Sequence, residues 1–214
     1  MRAWQVHELG DPIDCMVLGE IDDPDVGPGR VVVDVEAVGL AFPDVLQCRG
    51  EYQVKPPLPF TPGSETAGRV SAVGDDVDSA ILGRRVVALG GGLAERLVLP
   101  ASSVFEVPDV LASTKAAAVP MNYGTTWFAL HDRAHLAPGE TLLVTGAAGG
   151  VGSAAIQLGK AAGAWVIAVA GGPEKVAACT GLGADEVIDH REVDDLVARV
   201  RELTDGNGVD VAYD

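Results

Sequence analysis

The strongest constraint on this chain is a glycine-rich bend, Thr145-Gly146-Ala147-Ala148-Gly149-Gly150-Val151-Gly152, set between two apolar stretches. Thr141-Leu142-Leu143-Val144 before it reads as a buried strand, and Ser153 to Ala162 after it carries helical apolar periodicity. Strand, tight turn and helix in that order leave backbone N–H groups at a helix N-terminus, where they can hold a pyrophosphate. Ala147 stands in place of the first fingerprint glycine, so the glycines alone are weak evidence. A second strand, Trp165-Val166-Ile167-Ala168-Val169, supplies the context that the dinucleotide reading requires.

The pattern around this bend is alternating. From about Ala116, helix is expected over Thr125 to His135, near Pro173 to Thr180 and over Val193 to Leu203. Strands are expected at Glu186-Val187-Ile188 and Val209 to Tyr213. Four strands joined by helices make a parallel, doubly wound sheet.

The first half has another rhythm. Arg30 to Val38, Ala67 to Val73, Arg84 to Leu89 and Glu95 to Leu99 are short strands separated by Gly, Pro and Asp clusters. That spacing predicts a barrel or sandwich, with one helix through Pro43 to Cys48. The expected organisation is α/β: a β-rich domain over 1–118, then a Rossmann-type dinucleotide-binding domain over 119–214. The sequence stops at Asp214 directly after an apparent buried strand, which implies a cofactor sheet lacking its last part.

Charge limits the partners. A formal net charge of -16 over 214 residues argues against nucleic acid and against an anionic membrane surface. An anionic cofactor must then be held by local dipoles and a few placed cations. Met1 to Glu8 lack an apolar core of signal-peptide length, and no run is long enough to span a bilayer. Cys15, Cys48 and Cys179 are scattered, which fits a reducing cytoplasm rather than a disulfide framework.

Several collinear segments together resemble the zinc-independent quinone oxidoreductases of the medium-chain dehydrogenase/reductase superfamily. They are Gly39-Leu40-Ala41-Phe42-Pro43-Asp44-Val45-Leu46, Gly50-Glu51-Tyr52, and Pro56-Pro57-Leu58-Pro59-Phe60-Thr61-Pro62-Gly63-Ser64-Glu65. Gly91-Gly92-Leu93-Ala94-Glu95, the glycine bend, Leu182-Gly183-Ala184-Asp185 and Val187-Ile188-Asp189-His190-Arg191 complete the set. The resemblance implies a GroES-like domain, a Rossmann domain and an active site in the cleft between them. It also implies a homodimer in full-length form, hydride transfer from NADPH, and a quinone or enone as acceptor.

Zinc-dependent relatives place Cys and His ligands at the positions of Ala41 and Ser64, whose methyl and hydroxyl groups cannot replace them. His131 and His135, four apart on an expected helix, have no third ligand spaced to join them, so the protein reads as metal-free. Ala41 also stands where many relatives have Asn, and Leu93 where an aromatic is common, which makes the cleft more apolar.

In the dinucleotide fingerprint Gly149 serves close phosphate approach, Gly152 close helix–strand packing, and Gly150 and Val151 present the helix-opening amides, with Ala148 beside them in the cofactor-binding set. The resemblance places Thr125 near the nicotinamide half. Thr125 also suits a plain helix N-cap. No carboxylate follows the second strand where NAD sites place one, and Lys175 comes shortly after, so the cofactor expected is NADPH. His190 stands where the family has Tyr near the 2′-phosphate, which would make affinity pH-dependent. Lys175 and His190 can equally be solvated surface residues. Tyr52 is the candidate catalytic residue, able to bond a substrate oxygen or donate a proton, and can equally be a half-buried structural tyrosine. Two other readings stay open: an enoyl- or acryloyl-CoA reductase, and a non-catalytic NADPH-binding protein.

Overall fold

A computed structural model describes residues 1–214. The chain divides into two compact units, Met1–Met121 and Asn122–Asp214.

The first unit runs β1 (Arg2–Val6), α1 (Pro12–Cys15), β2 (Met16–Glu20), β3 (Arg30–Gly39), α2 (Phe42–Arg49), β4 (Glu65–Val73), β5 (Arg85–Leu89), β6 (Arg96–Pro100), β7 (Val104–Glu106) and α3 (Ser113–Ala116). The last five strands before α3 other than the N-terminal pair form one antiparallel sheet in the order β6-β3-β4-β5-β7. Its valine-rich runs set Val31, Val33, Val70, Val86 and Leu97 into one core cluster, as β-branched residues favour the pleated, half-buried surface. Two shifts of register in β3, at Val32/Val33 and Val35/Ala37, bend it across β4.

β1 and β2 make a separate antiparallel pair, with Trp4 opposite Leu18. The pair lies outside the expected strands, because adjacent exposed Val17 and Leu18 break the alternation in β2. A cluster of Val6, Cys15 and Cys48, packed by Met16 and Phe60, ties the pair to α2.

The helix expected from Pro43 starts one residue earlier, with Ala41 as N-cap and Gly50 closing it at φ 70°. Alanine offers no capping oxygen for the first-turn amides, but the Asp44 carboxylate accepts the Ala41 N–H at 2.7 Å. That is the return half of a capping box.

The second unit runs α4 (Asn122–Trp127), β8 (Thr141–Val144), α5 (Gly150–Ala161), β9 (Trp165–Ala170), α6 (Pro173–Gly181), β10 (Glu186–Asp189), α7 (Leu196–Leu203) and β11 (Val211–Tyr213). The strands are parallel, in the order β10-β9-β8-β11. β9 is apolar throughout because both faces are covered: Val166 and Ala168 join one core cluster, Ile167 and Val169 another. Gly159 of α5 sits against Leu142 and Val166.

Three local expectations need correction. α4 gives way to a π-helical turn, Phe128–Arg133, so His131 and His135 do not share one helix face. His131 packs against Trp127 with ring centroids 4.0 Å apart and the ring planes tilted by 45°, while His135 lies beyond the turn at φ 54° with Nδ1 on the His131 carbonyl. Thr125 is the fourth residue of α4 and not its N-cap. α7 begins at Leu196 rather than Val193, because Asp195 caps it by accepting the Ala198 N–H. No helix is long and apolar enough to cross a membrane.

Candidate functional site

The glycine bend lies at the carboxyl end of β8, where the strand order of the parallel sheet reverses. Open α/β sheets bind ligands at that switch point. The bend is fixed from several sides. Thr145 N–H donates to the Tyr213 carbonyl at 2.9 Å, Ala147 N–H to the Val169 carbonyl at 3.1 Å, and Gly149 N–H to the Gly146 carbonyl at 2.8 Å. Ser153 N–H, the first to turn back into α5, reaches Gly149. The amides of Gly150, Val151 and Gly152 are the orphan donors that every helix start carries. Gly149, Gly150 and Val151 are exposed, Ala148 is half-buried and Gly152 is buried.

Gly152 is required by close approach. A Cβ there would meet the Gly146 carbonyl oxygen at 2.5 Å and the Ala147 Cα at 2.7 Å. The helix can therefore lie flat on the turn only with hydrogen at this position. Thr126, buried in α4, donates to the Val151 carbonyl at 3.2 Å and lies 3.2 Å from the Tyr213 hydroxyl. Thr125 beside it is exposed. The residue that braces the bend is the neighbour of the one singled out by resemblance.

Basic side chains flank the turn after β9. Lys175 is exposed in the first turn of α6, and His190 is exposed just past β10. The His190 Nε2 would lie 2.5 Å from a Cβ on Gly171, so the imidazole occupies the space any larger residue would need. Arg191 adds a guanidinium at the same place, with Nε 3.1 Å from that Gly171 position and a terminal nitrogen 3.0 Å from the corresponding one on Gly172. The sequence reading missed Arg191 as a site residue, although its adjacency to His190 was a signal.

A carboxylate also reaches this turn, from β10 rather than from β9. The Asp189 side chain accepts the Gly172 amide at 3.0 Å and the Arg191 amide at 3.0 Å. Those two backbone donors hold its carboxyl below the usual range.

The first unit contains a cavity of about 280 Å³, lined by Gln47, Tyr52, Phe60, Thr61, Ser64 and Met121 among others. Tyr52, half-buried, therefore stands on a cavity wall. α2 and the start of β4 bring a buried carboxylate under this wall. Asp44 Oδ1 accepts the Ser64 hydroxyl at 2.8 Å and the Gly63 amide at 3.0 Å, while Oδ2 takes Ala41. The positions of Ala41 and Ser64 are thus joined through one carboxylate.

Next to Ser64, Glu65 is fully buried and accepts the Met121 amide at 2.7 Å. Burial raises its pKa, the Met121 bond lowers it in part, and the nearby Asp44 charge raises it further. Cys48 is pushed up to about 11 by burial, and then by Cys15. No group of three or more His, Cys, Asp or Glu side chains is placed to hold a metal ion.

Comparison with known proteins adds two family matches. Residues 27–109 match the alcohol dehydrogenase GroES-like domain, and residues 150–214 match the family described as zinc-binding dehydrogenase. The chain is 41% identical to quinone oxidoreductase-like protein 2 homolog of Nematostella vectensis over 214 residues, 98% of this chain and 58% of that relative. A probable oxidoreductase from Mycobacterium abscessus superposes with a TM-score of 0.92 at 41% identity, over 99% of this chain and 68% of that one. The quinone oxidoreductase of Thermus thermophilus, solved also in complex with NADPH, gives 0.85 at 37% identity, over 99% and 65%.

Proposed function

The chain belongs to the quinone oxidoreductase-like family of the medium-chain dehydrogenase/reductase superfamily, and from that premise we propose that it serves a zinc-independent, NADPH-dependent reduction of a quinone or another conjugated carbonyl. The observation that carries this reading is the cationic group around Gly171 and Gly172. In a molecule of net charge -16, His190 and Arg191 are both placed on one two-glycine turn, with Lys175 exposed in the helix that follows.

The residues present fit the cofactor. Its pyrophosphate would take the amides of Gly150, Val151 and Gly152, with Ala148 and Gly149 forming the floor, since helix-start N–H groups and their dipole favour an anion. The 2′-phosphate would take Lys175, His190 and Arg191, the last by a planar fork that suits phosphate. The Asp189 charge at this turn faces two backbone amides and is offset by the adjacent Arg191. Thr125 would face the nicotinamide half. Bound NADPH would supply the hydride.

The protein's part in the chemistry is to bind, orient and exclude water. The cavity in the first unit would take the acceptor, its apolar wall excluding water and Tyr52 donating a hydrogen bond or proton to the substrate oxygen. Zinc-free chemistry is supported by Ala41, which has no ligating side-chain atom, and by Ser64, whose hydroxyl is spent on Asp44. Three buried free thiols support a cytosolic location. The same family premise carries a homodimeric assembly.

The test is NADPH absorbance with a panel of quinones, enones and enoyl-CoA thioesters, alongside equilibrium binding of NADPH and NADH. Oxidation with quinones and tighter binding of NADPH are expected. Binding with no acceptor reduced would leave a non-catalytic cofactor protein, and reduction of the thioesters alone would replace the acceptor class.

A further inference from the structure

Resting on the quinone-reductase reading, we propose that Ser64, held by Asp44, makes the cavity of the first unit selective for an acceptor that carries a neutral hydroxyl group as well as its carbonyl. The Ser64 hydroxyl donates to Asp44 Oδ1 at 2.8 Å, in a buried setting. The Asp44 carboxylate is itself fixed by the Gly63 amide on Oδ1 and the Ala41 amide on Oδ2. It is an ordered acceptor that cannot turn away, built into the first turn of α2.

A hydroxyl has one donor and two acceptor sites. With its proton spent on Asp44, Ser64 keeps only acceptor capacity for a molecule in the cavity it lines. Turning that proton toward a ligand would break a charge-assisted hydrogen bond, which is stronger than a neutral one. Gln47, Tyr52 and Thr61 bring donors to the same cavity, and those can meet a carbonyl oxygen. Pro43, Val54, Phe60, Leu89 and Met121 supply apolar wall for a ring.

Carbonyl oxygens alone would bring lone pairs against the lone pairs of Ser64. A hydroxyl on the same ligand would complete that bond. A site built to pair with a hydroxyl discriminates against analogues lacking it, because its own polar group is otherwise left unpaired.

The experiment compares 2-(hydroxymethyl)-1,4-naphthoquinone with its near-isosteric partner 2-ethyl-1,4-naphthoquinone by calorimetry, without NADPH, on the wild-type chain, Ser64→Ala and Ser64→Thr. The hydroxymethyl compound is expected to bind the wild type about tenfold more tightly, the scale of one well-formed hydrogen bond. Ser64→Ala is expected to bring that ratio to about one, and Ser64→Thr, which keeps the hydroxyl, to restore most of it. Equal binding of the two compounds by the wild type would overturn the proposal, as would a ratio unchanged in Ser64→Ala. Equal binding by the wild type overturns the proposal without any variant, and Ser64→Thr keeps the assignment to Ser64 testable if Ser64→Ala does not fold. Absence of NADPH oxidation with both quinones would instead sink the enzymatic reading and leave the binding ratio standing, so the two failures are distinct.

Discussion

Oε2 of Glu65 accepts the backbone amide of Met121 across 2.7 Å, fastening the last residue of the first unit to the start of β4. The carboxyl is 1% exposed and its pKa is raised by burial. A carboxyl whose folded pKa lies above its unfolded value binds protons more readily when folded. Its contribution to stability is therefore fully present below the unfolded pKa, about 4.3 for Glu, and is lost as pH rises through the folded pKa. Glu65→Gln keeps an acceptor for Met121 and cannot ionise. Thermal melts of both proteins between pH 4 and 8 should show the variant gaining on the wild type as pH rises. Glu65→Ala should lose about 1–3 kcal/mol, because the Met121 amide is left unpaired.

Gly152→Ala places a methyl 2.5 Å from the Gly146 oxygen and 2.7 Å from the Ala147 Cα, both backbone atoms that cannot move aside cheaply. Overpacking of that kind costs about 1–3 kcal/mol. A lower melting temperature and NADPH binding weakened at least tenfold are expected. At Gly149 the corresponding contact is 3.2 Å, so Gly149→Ala should be the milder change. Equal effects at the two positions would contradict the packing argument.

Arg191→Ala and Lys175→Ala should each raise the NADPH dissociation constant roughly tenfold, the scale of one charge-assisted contact, while leaving NADH nearly unchanged. Fluorescence titration with both cofactors measures the ratio. A parallel loss for NADH would mean that the two cations act on the fold or on the pyrophosphate.

Cys48, with a pKa near 11 from burial and from Cys15 beside it, should be almost entirely thiol at pH 8, with about one molecule in a thousand as thiolate. Cys15 and Cys179 are buried as well. Labelling of the native chain by a thiol-specific chromogenic reagent should be slow and should become complete only on unfolding. Rapid labelling of Cys48 in the native state would show that the Val6–Cys15–Cys48 cluster opens locally.

Much of the second unit could be read directly from residue order. The run from Leu142 to Val144, the glycines that follow and the apolar strand at Trp165 leave few alternatives, because a strand buried on both faces has an unmistakable composition. The first unit was legible in its valine strands but not in β1 and β2, which contain Trp4, Gln5 and exposed Val17 and Leu18 with no clean alternation. The site showed the same division. Lys175 could be named from its place after the second strand and His190 from the family resemblance, whereas Arg191 and Thr126 gained their roles from folding: one from the Gly171–Gly172 turn lying beneath it, the other from α4 crossing the start of α5.

The order of residues on its own determined that the second unit is a parallel sheet entered through a glycine bend, since hydrophobic periodicity and glycine placement are local properties of the chain. It determined too that an anionic ligand must rely on a few local donors against a net charge of -16. Only tertiary structure decided that Asp44 joins Ala41, Gly63 and Ser64, that Glu65 reaches Met121, and that Asp189 closes the turn beneath Arg191. Apart from the local Ala41–Asp44 and Asp189–Arg191 contacts, those bonds link groups at least 17 residues apart, and which distant donors a carboxylate meets is set by how the sheets and helices pack.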